Sequence, residues 1–152
     1  MEGEKEKILL VEDEQGIREL IQLYLENREY TVIPAENGRQ ALELTDSEHP
    51  DLILLDIEMP GIDGFEVCQK IRKILDIPII FISSRRDVLD KIKCFELGGD
   101  DYITKPFDFG ELEARVRANL RRYQEVQKRH SANMLSYGEL EITLDSYACL
   151  LK

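Results

Sequence analysis

Short apolar runs divide the chain at regular intervals, at residues 8–11, 30–33, 52–55, 79–82 and 102–104. Most are too continuous for a sheet wetted on one face, and strands covered by helices on both faces read this way. The segments between them keep a helical period instead. Ile17, Leu20, Ile21, Tyr24 and Leu25 mark the first, Ala41 and Leu44 the second, and Val67, Cys68, Ile71, Ile74 and Leu75 the third. Val88, Ile92 and Phe95 mark the fourth, and Leu112, Val116 and Leu120 the fifth. Five alternating β-α units predict an α/β domain built on a doubly wound, five-stranded parallel sheet in the order 2-1-3-4-5, ending near Tyr123.

Beyond that point the pattern changes. Residues 121–129 are polar and basic, and residues 130–133 lack periodicity, so 124–135 is expected to be a linker. Leu140, Ile142 and Leu144 then alternate with polar residues, Asp145 and Ser146 turn the chain, and residues 147–151 pair back as a hairpin. Two strands alone are marginal in water, so residues 136–152 read as the beginning of a second, β-rich domain whose remainder is absent.

Composition narrows the class. The 152 residues are 43% hydrophobic and 34% charged, which excludes disordered and collagen-like chains. A net charge of −11 argues against a phosphate backbone or an anionic lipid surface as a direct ligand. Cys68, Cys94 and Cys149 are odd in number, widely spaced and without a histidine pair, so neither a disulfide framework nor a zinc site is expected, and a reducing, cytoplasmic compartment is. The longest apolar stretch, residues 77–82, is far short of the ~20 residues that cross a bilayer, so no membrane association is expected. His49 and His130 lack partners at ligand spacing.

In open α/β sheets, chemistry sits beyond the carboxyl ends of the strands. There the first strand presents Glu12 and Asp13, the third Asp56, the fourth Ser83 and the fifth Lys105. Because the first and third strands are neighbours, Glu12, Asp13 and Asp56 converge, and unit charges ~4 Å apart repel by ~4 kcal/mol even at an effective dielectric of 20. A hard divalent cation resolves that repulsion, and magnesium leaves positions for a phosphate oxygen. With Lys105 as a second cation and Ser83 as a hydroxyl donor, the set suits phosphoryl transfer to Asp56 as a carboxylate nucleophile.

Four segments, ILLVEDE at 8–14, DLILLDIEMPGIDG at 51–64, PIIFISSRRD at 78–87 and GGDDYITKPF at 98–107, resemble the receiver domain of bacterial two-component response regulators. The resemblance covers residues 7–123 and implies a flavodoxin-like fold with the receiver as residues 1–123. It implies Asp56 as phosphoacceptor for a sensor histidine kinase, with Glu12, Asp13, Asp56 and the backbone carbonyl of Glu58 as magnesium ligands. Ser83 and Lys105 would grip the phosphoryl oxygens, Tyr102 would turn inward with Ser83 on activation, and the Lys105-Pro106 bond is often cis. Such a protein is not an enzyme with an outside substrate; it catalyses only its own magnesium-dependent phosphorylation and dephosphorylation. Two departures stand out, Ser83-Ser84 in place of the commoner Thr-Ala and Gly99 in place of Ala. Glu58 and Arg85 flank the site and are expected to tune the lifetime of the aspartyl phosphate.

The receiver, linker and opening hairpin together resemble the winged-helix transcription factors of the OmpR/PhoB type, in which DNA contact belongs to the second domain. That resemblance implies a homodimer through the fourth helix, fifth strand and fifth helix when active. Its ion pairs would join Lys91 with Glu111, Asp100 with Arg122, and Asp101 with Arg115 between subunits. Glu111, Arg115 and Arg122 fall on one helical stripe. The alternative is an aspartyl-phosphate phosphatase of haloacid-dehalogenase type, suggested by Asp56-Ile57-Glu58, although no segment is long enough for a substrate cap. A flavin-binding reading fails on the repulsion between the acidic loop at 11–14 and a phosphate.

Overall fold

A computed structural model describes residues 4–140 of the chain, with side-chain surroundings for residues 4–132. Strands β1 (Lys7–Val11), β2 (Thr31–Ala35), β3 (Leu52–Asp56), β4 (Ile79–Ser83) and β5 (Asp101–Thr104) alternate with helices α1 (Gln15–Glu26), α2 (Gly38–Glu48), α3 (Gly64–Arg72), α4 (Val88–Glu96) and α5 (Phe109–Leu140). The sheet order is β2-β1-β3-β4-β5, and every pairing is parallel. The fold class is therefore as the apolar runs predict. Among the described residues, no helix is long and apolar enough to cross a membrane.

Each central strand is buried on both faces because side chains alternate across the pleat. Ile8, Leu10, Leu52, Leu54, Ile80 and Ile82 lie in one core layer with Ile21 and Leu25 of α1 and Leu112 and Val116 of α5. Leu9, Val11, Ile53, Leu55 and Phe81, the alternate positions, are equally inaccessible. Phe81 packs near Phe65 of α3, with ring centroids 6.2 Å apart, and Cys68 and Cys94 are buried packing residues. Burial pushes their thiols up to about 11 and about 12.

The helix starts are written locally. Asn37, Asp63 and Asp87 each accept a backbone N–H of the first turn of α2, α3 and α4, and Asp108 Oδ1 accepts from Gly110 and Glu111 at the start of α5. His49 ends α2 in the left-handed region at φ 52, immediately before Pro50, which is the stop such a pair supplies. The Lys105-Pro106 peptide is cis.

The compact unit ends at Leu120, and the described residues beyond it form the distal part of α5. Residues 124–135, expected as a linker, are helical, as are residues 136–140 at the start of the expected hairpin. The physical reason is that nothing between Glu111 and Tyr137 breaks a helix: there is neither proline nor glycine. A polar, basic composition signals exposure rather than loss of helix. The remaining hairpin residues, 141–152, and Cys149 lie outside the described residues.

Two glycines show how closely the layers approach. A Cβ at Gly99 would lie 2.6 Å from the Phe81 ring and 2.9 Å from the Cys94 carbonyl, so the position has no room for a side chain. A Cβ at Gly64 would lie 2.3 Å from the backbone oxygen of Asp56 and 2.8 Å from Cα of Ile57, so α3 starts directly against the strand end that carries Asp56. Gly64→Ala should destabilise the domain by about 3 kcal/mol, the upper end of the usual overpacking penalty. Gly16→Ala, with nothing within 4 Å of the new methyl, should be neutral or gain ~0.5–1 kcal/mol. Urea unfolding of the two variants checks this pair; equal midpoints would contradict the packing.

Candidate phosphoacceptor site

Sheet register assembles the site. Val11 is paired with Leu55, so the next residues, Glu12 and Asp56, leave adjacent strands side by side. Asp56 is paired with Ile82 and Ser83 with Thr104, which brings Ser83 and the following Lys105 to the same edge. The Lys105 N–H donates to the Ser83 carbonyl at 2.8 Å. One carboxylate oxygen from each of Glu12, Asp13 and Asp56 lies within 4.8 Å of the others. Glu12 and Asp56 are buried, at 1% and 4% exposure, while Asp13 is exposed.

The electrostatics of this cluster are unbalanced. Lys105 Nζ stands 3.0 Å from Glu12 Oε1 and 3.5 Å from Asp56 Oδ2, one ammonium against three carboxylates. Burial, then the charge of Glu12, pushes the Asp56 carboxyl up to about 7, against the pull of Lys105. Lys105 is itself shifted upward, because Asp56 and Glu12 outweigh the effect of its burial. Backbone donors help little: Glu58 N–H reaches Asp56 Oδ1 at 3.3 Å and Glu14 N–H reaches Glu12 Oε2 at 3.2 Å. Glu12 Oε1 is buried without a hydrogen bond of good angle, leaving only the ammonium beside it. Three converging carboxylates balanced by one ammonium form an all-oxygen donor set with surplus negative charge, which fits a hard cation such as magnesium.

Ser83 and Tyr102 are linked through Arg85. The Ser83 hydroxyl, fully buried, accepts the Arg85 N–H at 3.0 Å. The Tyr102 hydroxyl donates to the Arg85 carbonyl at 2.7 Å, which places the ring inward at 9% exposure. Burial raises the Tyr102 hydroxyl above its usual range, with Ser83 opposing. An open cavity of about 500 Å³ adjoins the site, lined by Glu58, Met59, Asp63 and Arg85 among others.

The expected interface residues find partners within the one chain. Arg115 Nη1 lies 2.9 Å from Asp101 Oδ1 and its Nε 3.1 Å from Glu111 Oε2, and Asn119 donates to the other Asp101 oxygen at 3.1 Å. Asp100 Oδ2 holds Arg72 Nη2 at 2.8 Å and accepts the Ile79 N–H at 2.9 Å. Lys91 Nζ sits 5.5 Å from the centre of the Tyr102 ring, and Arg122 is exposed on the distal part of α5.

Two arginines that the sequence reading passes over also hold loops, Arg18 at the site's end of the sheet and Arg72 at the opposite end. Arg18, on α1, donates to the Glu12 carbonyl at 2.8 Å and faces Glu36 at 3.8 Å, steadying the loop that carries the acidic pair. Arg72 donates to the Gly98 carbonyl at 2.9 Å as well as to Asp100. Neither carries a local signal, because a charged residue on a helix reads as a solvated face.

The comparisons agree with this geometry. Residues 8–117 match the family of the response regulator receiver domain. A probable transcriptional regulator ycf27 of Porphyridium aerugineum is 42% identical over 95% of this chain and 61% of its own length. Regulatory protein VanR of Enterococcus faecium is 43% identical over 96% of this chain and 64% of its own length. The chain thus spans about half to two-thirds of the curated relatives it matches. Among solved structures, the BeF3-activated N-terminal receiver domain of Klebsiella pneumoniae RstA superposes with a TM-score of 0.73 at 37% identity, over 76% of this chain and 98% of that one. The receiver domain of the Francisella response regulator 1452 gives 0.75 at 32% identity, over 78% and 99%. With the parallel sheet, the acidic cluster at its edge and the match over residues 8–117 in place, the chain belongs to the response regulator receiver domain family.

Proposed function

We propose that Asp56 accepts a phosphoryl group from the phosphohistidine of a sensor histidine kinase and that the resulting state controls transcription. The observation that carries the reading is the convergence of Glu12, Asp13 and Asp56 beside Lys105. In the transfer, an Asp56 oxygen forms a bond to phosphorus as the bond to the histidine nitrogen breaks. Glu12, Asp13, Asp56 and the Glu58 backbone carbonyl would hold magnesium, which when bound neutralises charge on the transferring phosphoryl oxygens. Lys105 supplies the fixed cation on the other side. Ser83, whose oxygen already accepts the Arg85 N–H, keeps its own proton to donate to a phosphoryl oxygen. Tyr102 occupies the inward position as the switch partner of Ser83.

Downstream, the proposed output is a two-fold dimer through α4, β5 and α5, in which Lys91 meets Glu111, Asp100 meets Arg122, and Asp101 meets Arg115 of a second copy. Alignment to the ycf27 relative runs over 147 residues, past the receiver, which supports reading residues 136–152 as the start of a winged-helix, DNA-binding domain. The relatives are named as transcriptional and regulatory proteins, and the compartment consistent with that role is the cytoplasm. The haloacid-dehalogenase-like phosphatase alternative is not favoured by the match to receiver domains.

Magnesium at ten times its dissociation constant should stabilise the wild-type chain by about 1.4 kcal/mol, by mass action on the folded state. Asp13→Asn should lose most of that rise in melting temperature; an undiminished rise would move the metal elsewhere. Incubation with acetyl phosphate and magnesium should add the mass of one phosphoryl group to the intact chain. Asp56→Asn should abolish the addition and Lys105→Ala should slow it at least tenfold, and a mass shift that survives Asp56→Asn at the same rate defeats the assignment. Beryllium fluoride with magnesium should shift the chain toward a dimer in light scattering. Arg115→Glu should weaken that dimer at least tenfold; equal masses with and without beryllium fluoride, or indifference to Arg115→Glu, count against the interface.

A further inference from the structure

Arg85 is one residue in contact with five separate parts of the fold. Its backbone N–H donates to the Ser83 hydroxyl at 3.0 Å and its carbonyl accepts from the Tyr102 hydroxyl at 2.7 Å. Its side chain lies across the mouth of the site. Nε meets Glu58 Oε2 at 2.9 Å, and Nη1 stands 3.5 Å from Asp90 Oδ1 in the first turn of α4. The guanidinium lies 5.9 Å from the centre of the Phe65 ring. Glu58 in turn gives its backbone N–H to Asp56.

A guanidinium is suited to this position because its rigid fork can engage two carboxylates at once, which an ammonium on a flexible stem does poorly. The loop between β4 and α4 is short, so fixing the side chain fixes the backbone groups on either side. The Ser83 hydroxyl then stays oriented with its oxygen occupied by an N–H and its proton available, and the carbonyl stays where the inward Tyr102 hydroxyl meets it. A hydroxyl on an unbranched side chain is otherwise freer than one on threonine. The clasp thus supplies orientation that Ser83 does not provide for itself.

Resting on the reading of Asp56 as phosphoacceptor, we infer that the Glu58-Arg85-Asp90 ion clasp makes Arg85 the positioning residue that transmits the state of Asp56 to α4. A dianionic group on Asp56 draws on the same positive charge that Glu58 and Asp90 share. Redistribution of the guanidinium between these anions changes how firmly the first turn of α4 is held. Phosphoryl chemistry at the sheet edge and the arrangement of α4 are then linked through one side chain as well as through the Ser83 and Tyr102 hydroxyls.

The test uses the full chain with beryllium fluoride and magnesium at saturation, so that variants are compared at equal occupancy. Intact mass after acetyl phosphate treatment first establishes phosphorylation of the wild type; if none occurs, the phosphoacceptor reading fails and the inference with it. Amide hydrogen exchange over residues 88–96 with and without beryllium fluoride is the readout. Arg85→Ala should reduce the beryllium fluoride-induced change at least threefold, and Arg85→Lys should restore only part of it. Asp90→Asn, half-buried and outside the acidic cluster, should reproduce the loss at α4 with beryllium fluoride still at saturation. A full α4 response in Arg85→Ala or in Asp90→Asn, in a chain that is phosphorylated, overturns the inference.

Discussion

Repulsion among Glu12, Asp13 and Asp56 is the constraint around which the rest of the domain is arranged. Two of these carboxylates are buried at the ends of paired strands, where each unit charge opposes its neighbour by several kcal/mol. Such a cluster persists only if the backbone that carries it cannot relax. The double core layer meets that requirement: β1, β3 and β4 are buried on both faces, and α3 begins with its backbone pressed against the end of β3. The stored repulsion in turn creates the affinity for positive charge that Lys105 satisfies only in part.

Around the acidic cluster, short polar links join the elements beside it. Ser83, Arg85 and Tyr102 join β4, the loop before α4 and β5 through two hydrogen bonds. Beyond them Arg115 of α5 pairs with Asp101 of β5 and with Glu111 one helical turn away, groups that are partly solvated. Pairs of this kind contribute only ~0–1 kcal/mol each, so exchanging an intrachain partner for one on a second copy costs little. Arg115 and Asp101, paired within the chain, are therefore compatible with the intersubunit role proposed for them. In the proposed function, that low individual strength would let a small change at Asp56 alter a surface equilibrium.

Much of the fold and the core of the site are legible along the chain because their signals are local. An apolar run of four residues means a strand buried on both sides, and Asn37, Asp63 and Asp87 cap the helices that follow them. Asp56 and Ser83 end their strands, and Glu12, Asp13 and Lys105 come within two residues of a strand end, so finding the strand ends finds the residues that converge there. The extent of α5 was less legible: residues 124–135 are polar enough to read as a linker, yet they lack any residue that stops a helix.

What the sequence by itself determined is the alternation of five strands and five helices, the strand ends that carry the acidic residues, Ser83 and Lys105, and the local starts of the helices. Only the tertiary structure decided which long charged side chains meet: Arg18 on the Glu12 carbonyl, Arg72 between Gly98 and Asp100, and Arg85 between Glu58 and Asp90. It also decided that Gly99 must stay small, because Phe81 occupies the space a side chain would need. The physical reason is range. Hydrophobic period and capping act between residues a few positions apart, whereas an arginine on a helix has no preferred partner until packing brings another surface within reach of its fork.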